Sequence, residues 1–126
     1  MRSLCSAVAA LAGLFLMATA AVAEPRPLSE LDEAAYRSAF SDVRRGEFSA
    51  ALDRAGRVSD HTLFGQLQFE ILFHRDYVAS YGELSAWLNQ YGDLADAPRA
   101  YALAVRRIPP GESEPRLPPT MAAMRA

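Results

Sequence analysis

The stretch His61–His74 constrains the fold of this chain more than any other feature. It carries Leu63, Phe64, Leu67, Phe69, Ile71, Leu72 and Phe73. At helical spacing Leu63, Phe64, Leu67 and Ile71 share one face, and Phe69, Leu72 and Phe73 lie largely across from it. A helix that is apolar on nearly all sides is stable in water only when neighbours cover it. In a chain of 126 residues this predicts a central helix sandwiched on both flanks. The question is then which segments supply the flanking layers.

Upstream, Leu31, Ala35, Ala39, Phe40 and Val43 recur three and four residues apart and predict one helix. Ser29 stands at its start as a cap, with Asp32 three residues on, close to a capping box. Arg44 and Arg45 suit the carbonyl end of the helix dipole, and Gly46 can take the left-handed conformation that ends it. A second helix runs from Glu47 to about Arg57, with Phe48, Ala51, Leu52 and Ala55 on its buried face. The link at Gly46 is so short that the two must be antiparallel. Ser59 and Asp60 are expected to cap the central helix. Downstream, Ser80 and Glu83 form a capping box for a fourth helix through Leu84, Trp87, Leu88 and Tyr91, closed by Gly92. Asp96 is expected to cap a fifth, with Pro98 in its first turn. That helix runs to about Arg107 and draws its buried side from Tyr101, Leu103, Ala104 and Val105.

No segment alternates with the period of a strand. The expected fold is therefore all-α: antiparallel helix pairs of an α-superhelical, tetratricopeptide-like solenoid fragment, with about five short helices. Gly46, Phe48, Ala51 and Leu52 match the middle of a tetratricopeptide unit, although no large residue stands near Asp42 and no second copy recurs at a fixed period. The helical domain spans 29–108 after an extended leader at 24–28. Residues 109–120 hold five prolines, so 109–126 reads as a disordered tail. The last helix should then leave an apolar side uncovered, which allows self-association through the open solenoid end.

Residues 1–23 differ from the rest. A basic Met1-Arg2 start, an uncharged apolar run from Leu4 to Val22 and the small-residue ending Ala21-Val22-Ala23 form the pattern of a cleavable secretory signal peptide. The expected cut falls between Ala23 and Glu24, which places the processed chain in the periplasm with no membrane attachment. Cys5, the sole cysteine, leaves with the signal, so neither a disulfide scaffold nor a cysteine-based zinc site is available. There is no lysine, the net charge is −2 and the pI is about 5.6. That balance argues against nucleic acid as a partner.

Local motifs name no reaction. No phosphate-binding glycine loop and no serine elbow is present, and no cofactor is expected. The two histidines, His61 and His74, stand at opposite ends of the central helix, too far apart to share a metal ion. Glu70, between Phe69 and Ile71, is the sole candidate catalytic residue. An apolar setting suits a general acid for glycosidic cleavage, but no second catalytic group is identifiable, and the favoured explanation is a polar strip in which Glu70 and Gln66 meet solvent or an arginine. Trp87, Tyr91 and Tyr101, with Tyr77 and Tyr81, either stack on sugar rings or fill the core. Arg44, Arg45, Arg75, Arg99, Arg106 and Arg107 either recognise carboxylates on a partner or peptide stem, or form solvated faces.

The segment joining Leu84, Trp87-Leu88 and Tyr91 to Ala97-Pro98-Arg99 and Tyr101 resembles the N-terminal helical region of soluble lytic murein transglycosylases, particularly those of alphaproteobacteria. Tyr36, Phe40, Arg45-Gly46 and Val58-Ser59-Asp60 also look like the opening of that region. The resemblance covers roughly Leu28 to Arg107 and implies the start of a superhelical arm. In the family a separate lysozyme-like domain carries a catalytic glutamate in a Glu-Ser context and cleaves peptidoglycan to a 1,6-anhydro product. Here Glu112-Ser113 lies in the proline-rich tail with no such domain after it, so the resemblance transfers no catalytic residue. It implies a truncated relative or an independent copy of the arm, with peptidoglycan or a cell-wall protein as partner.

Overall fold

A computed structural model describes residues 27–126, and the expected signal segment, with the cut expected between Ala23 and Glu24, lies outside them. The described residues form six helices and no strand: α1 (Glu30–Arg44), α2 (Phe48–Ala55), α3 (Phe64–Leu72), α4 (Tyr81–Tyr91), α5 (Ala97–Arg106) and α6 (Pro119–Arg125). α1 pairs with α2 and α4 pairs with α5, while α3 lies between, against α1 and α4. The all-α architecture of helix pairs follows the periodicity.

α3 joins two cores. Leu67 and Ile71 enter one with Tyr36, Ala39, Val43, Ala51 and Ala55, with Leu63 and Phe64 packed at its edge. Phe69 and Leu72 enter the other with Leu84, Trp87, Leu88, Ala100 and Tyr101, and Phe73 packs against it. Both apolar faces of the central segment thus find cover, one from each pair. The helix itself is shorter than expected. His74 falls beyond its C-terminal end and His61 before its start, where Asp60 does not cap it: the Asp60 carboxylate accepts the Thr62 N–H at 2.9 Å and the Thr62 hydroxyl. The capping position is taken by Leu63, without a side-chain bond.

The turn between α1 and α2 behaves as its glycine requires. Gly46 has φ 78°, the Glu47 N–H donates to the Asp42 carbonyl and the Gly46 N–H to the Val43 carbonyl, both at 2.9 Å. This is the double bond pattern that ends a helix at a left-handed residue. Asp42 is almost fully buried. Its carboxylate accepts from Arg45 and, at 2.7 Å, from Arg54 Nε. An ionic bridge therefore ties α1 to α2 where a tetratricopeptide unit would place a large residue.

Of the face expected for α1, Ala35, Ala39, Phe40 and Val43 pack into the first core, and only Leu31 departs. Leu31 is 84% exposed, whereas Asp32 is 6% exposed. Ser29 Oγ does accept the Asp32 N–H, at 3.1 Å. The Asp32 carboxylate is not spent on that cap. It accepts the N–H groups of Ser59 at 3.1 Å and Asp60 at 3.0 Å. Tyr36 donates its hydroxyl to the Asp60 carbonyl at 2.6 Å. Two residues of one helix turn thus hold the α2–α3 connection. Asp32→Ala strands two amide donors and is expected to cost about 2–4 kcal/mol. Urea unfolding measures this, and a loss below ~0.5 kcal/mol, the range of a neutral surface change, would show that the connection holds without the carboxylate.

The expectation for residues 109–126 is corrected. The chain turns at Gly111 and runs back along the α4–α5 pair, Tyr81 donating its hydroxyl to the Ser113 carbonyl. Pro115 and Pro118 are buried, and Leu117 and Met121 pack against the second core. The prolines suit this path. They preset an extended backbone and lose little freedom on ordering. The apolar side expected to stay open on the last helix pair is covered by the chain's own end.

Candidate functional site

The resemblance-bearing residues come together, as a packed helix pair. Leu84, Trp87, Leu88, Ala97 and Tyr101 are all buried in the second core. Trp87 Nε1 donates to the Gly65 carbonyl at 2.9 Å. α3 and α4 meet closely here: a Cβ on Gly65 would lie 2.6 Å from a carbon of the Tyr91 ring. Glycine is needed at this approach, and Tyr91 serves as a lid over it. Pro98 sits in the first turn of α5. Of the aromatics considered for sugar stacking, Trp87 and Tyr101 are core residues, and Tyr77, Tyr81 and Tyr91 are half-buried.

Arg99 behaves differently. Its guanidinium carbon stands 5.3 Å from the Phe69 ring centroid and 5.2 Å from that of Phe73. Those rings are stacked with centroids 4.4 Å apart. The Asp96 side chain, expected as a cap, instead faces Gln66 Nε2 at 3.3 Å and Arg99 at 3.7 Å. Phe69, Phe73 and Arg99 belong to a concave face of ≈ 410 Å³, lined also by Val43, Arg44, Glu70, His74 and Arg75. α1, α3 and α5 each contribute. Val43 and Phe69 are buried, Glu70, Phe73 and His74 are half-buried, and the three arginines are exposed. The result is an apolar floor with a cationic rim. Glu70 therefore sits among cations, not in the apolar enclosure that its sequence neighbours suggested.

A second hollow, ≈ 280 Å³, opens on the other side of α3 between α2 and α4. It is lined by Leu52, Gln68, Ile71, Leu72, Tyr77, Glu83, Ala86, Trp87 and Gln90. Leu52, expected in the core, is 38% exposed at its edge. Tyr77 donates its hydroxyl to Glu83 Oε1, and Glu83 Oε2 accepts the Ser80 N–H at 2.8 Å, completing the capping box. Burial works against the Glu83 charge, but the hydrogen bonds from Tyr77 and Ser80 outweigh it and hold the carboxyl below its ordinary value. The bond to Glu83, then burial, pushes the Tyr77 hydroxyl up. Burial likewise raises Tyr36 and Tyr91.

These shifts set both edges of the stability profile. A depressed carboxyl such as Glu83 stabilises fully above its unfolded value of 4.5 and ceases to as pH falls through its folded value. Raised tyrosines stabilise fully below 10.0 and lose that contribution as pH rises through their folded values. Urea midpoints are expected to be flat between these limits and to fall outside them. Tyr77→Phe should soften both edges; unchanged edges would mean that the Tyr77–Glu83 bond contributes nothing.

The remaining sequence candidates are distributed. His74 lines the concave face, with Nδ1 accepting the Asp76 N–H at 3.1 Å, and His61 stacks edge-on against Phe64. No cluster of metal-ligating side chains occurs among the described residues. No helix of the described residues is long and apolar enough to cross a membrane. Arg45 serves the Asp42 bridge, and Arg107 donates to the Ala79 carbonyl. No family model, curated protein or solved structure matches the chain.

Proposed function

We propose that this chain is an exported, non-catalytic helical module of the kind found in the superhelical arm of lytic transglycosylases, working in the periplasm on peptidoglycan or on the enzymes that turn it over. The reading rests on the signal-like residues 1–23 and on the resemblance through Leu84, Trp87, Leu88, Tyr91, Ala97, Pro98, Arg99 and Tyr101. The observation that carries it is the open, arginine-rimmed face across α1, α3 and α5. Arginine forks bind carboxylates with defined geometry, and the peptide stems of peptidoglycan carry carboxylates. The test is co-sedimentation of the processed chain with purified sacculi. Retention that fades with salt is expected, because exposed charges are screened; a chain left wholly in the supernatant at low salt refutes the peptidoglycan reading.

A second reading is a periplasmic adaptor that binds a protein segment between helices. The hollow between α2 and α4, with Leu52 exposed at its edge, favours it. Blocking that hollow with Leu52→Arg would abolish adaptor binding and leave sacculus retention intact. A lytic activity using Glu70 is the third reading. Anhydro-muropeptides released from sacculi, and lost with Glu70→Gln, would establish it in place of the first two.

A further inference from the structure

The arginines among the described residues differ in how their side chains are engaged. Arg37, Arg45, Arg54 and Arg57 each donate a hydrogen bond to a nearby carboxylate, and Arg107 donates to a backbone carbonyl. Arg44, Arg75, Arg99, Arg106, Arg116 and Arg125 make no side-chain hydrogen bond to another described residue, and of these Arg44, Arg75 and Arg99 gather on the same concave face. Arg75 approaches Asp76 only to 3.8 Å and Arg99 approaches Asp96 only to 3.7 Å, beyond hydrogen-bond reach. All three are exposed, and their donor forks carry no hydrogen bond to the described residues. Arg99 is also held in place by the stacked Phe69 and Phe73 rings, which lowers the entropy lost when it grips a ligand. Glu70 is the one acidic side chain lining the face.

We infer that this face binds a short peptide bearing two or more carboxylates and at least one free ammonium group. The carboxylates engage Arg44, Arg75 and Arg99, the ammonium engages Glu70, and the aliphatic part of the peptide lies on Phe73. The volume of ≈ 410 Å³ falls within the range of small-ligand sites, about 300–1,000 Å³. The inference deepens the cell-wall reading, which it needs only for the source of the peptide.

Calorimetric titration of the processed chain with three probes separates the two. The probes are the stem tripeptide L-alanyl-γ-D-glutamyl-meso-diaminopimelate, the same peptide with its carboxylates amidated, and tri-L-glutamate. The stem tripeptide is expected to bind, and amidation to weaken it by about tenfold or more. Arg99→Lys, which keeps the charge and removes the fork, and Arg44→Gln should each weaken the free acid by about tenfold. Arg57→Gln, on α2's side, should not. With a further probe, the stem tripeptide acetylated on its amines, the wild-type chain should prefer the free amine, and Glu70→Gln should erase that preference. Equal binding of tri-L-glutamate upholds the site while assigning the peptide to an acidic protein segment, against the cell-wall source. No binding of either acid, or binding indifferent to amidation and to the Arg44 and Arg99 variants, overturns the inference. Circular dichroism of each variant, whose altered side chain is exposed or half-buried, confirms that it folds.

Discussion

Trp87→Ala is expected to remove about 3–5 kcal/mol of stability, the usual cost of truncating a buried aromatic to alanine. Trp87 is 3% exposed and packs on Phe69 and Tyr91, with ring centroids at 5.4 Å and 5.8 Å. Its indole N–H is bonded to the α3 backbone at Gly65, so truncation opens a cavity and breaks the tie between α3 and α4 together. Domains of this size are stable by about 5–15 kcal/mol, so the loss takes a large share of the total. Urea unfolding followed by far-ultraviolet circular dichroism measures the loss. Trp87→Phe, which keeps most of the volume, should cost markedly less. A Trp87→Ala loss below ~1 kcal/mol would mean that α4 is not seated on α3 through this side chain.

Removing residues 109–126 is the other change with a large expected effect. The segment buries Pro115 and Pro118 and lays Leu117 and Met121 on the α4–α5 core. Burial of such side chains contributes about 1–3 kcal/mol each, offset by the ordering of the strap. A net loss of about 2–4 kcal/mol is expected. The uncovered face should also make the shortened chain self-associate as concentration rises, because an exposed apolar patch at a solenoid end invites a partner. Sedimentation velocity distinguishes the outcomes. A shortened chain that stays monomeric with an unchanged urea midpoint would show that the strap is dispensable.

Much of this was legible before any coordinates. The two-faced apolar pattern of Leu63–Phe73 dictated a central helix with a core on each side, and α3 divides its side chains between the two cores in that way. Gly46 and the Ser80–Glu83 box marked real helix ends. What escaped were contacts made across long sequence separation. Asp32 looked like a local cap partner because its three-residue spacing to Ser29 is visible, whereas its bonds to Ser59 and Asp60 are not. The strap escaped for a similar reason. Proline-rich composition disfavours helix interiors and sheet, but it permits an extended chain lying on an apolar surface and a helix that starts on a proline, as α6 does. The concave face was half visible: Arg44, Arg75 and Arg99 stood out as candidates, but only the packing of α1, α3 and α5 gathers them around Glu70 and Phe73.

The fold and the candidate site depend on the same element. Phe69 and Glu70 come from α3, and Phe73, His74 and Arg75 from the residues just after it, while Arg44 and Arg99 reach in from α1 and α5. If α3 is the shared spine of both cores, the face is built in advance of any ligand. Native-state hydrogen exchange tests this directly. The amides of Leu67–Leu72 should be among the slowest in the chain and exchange only with global unfolding, at one free energy for both helix pairs. Fast exchange in α3, or separate unfolding energies for the α1–α2 and α4–α5 pairs, would contradict a single spine and with it a preformed site.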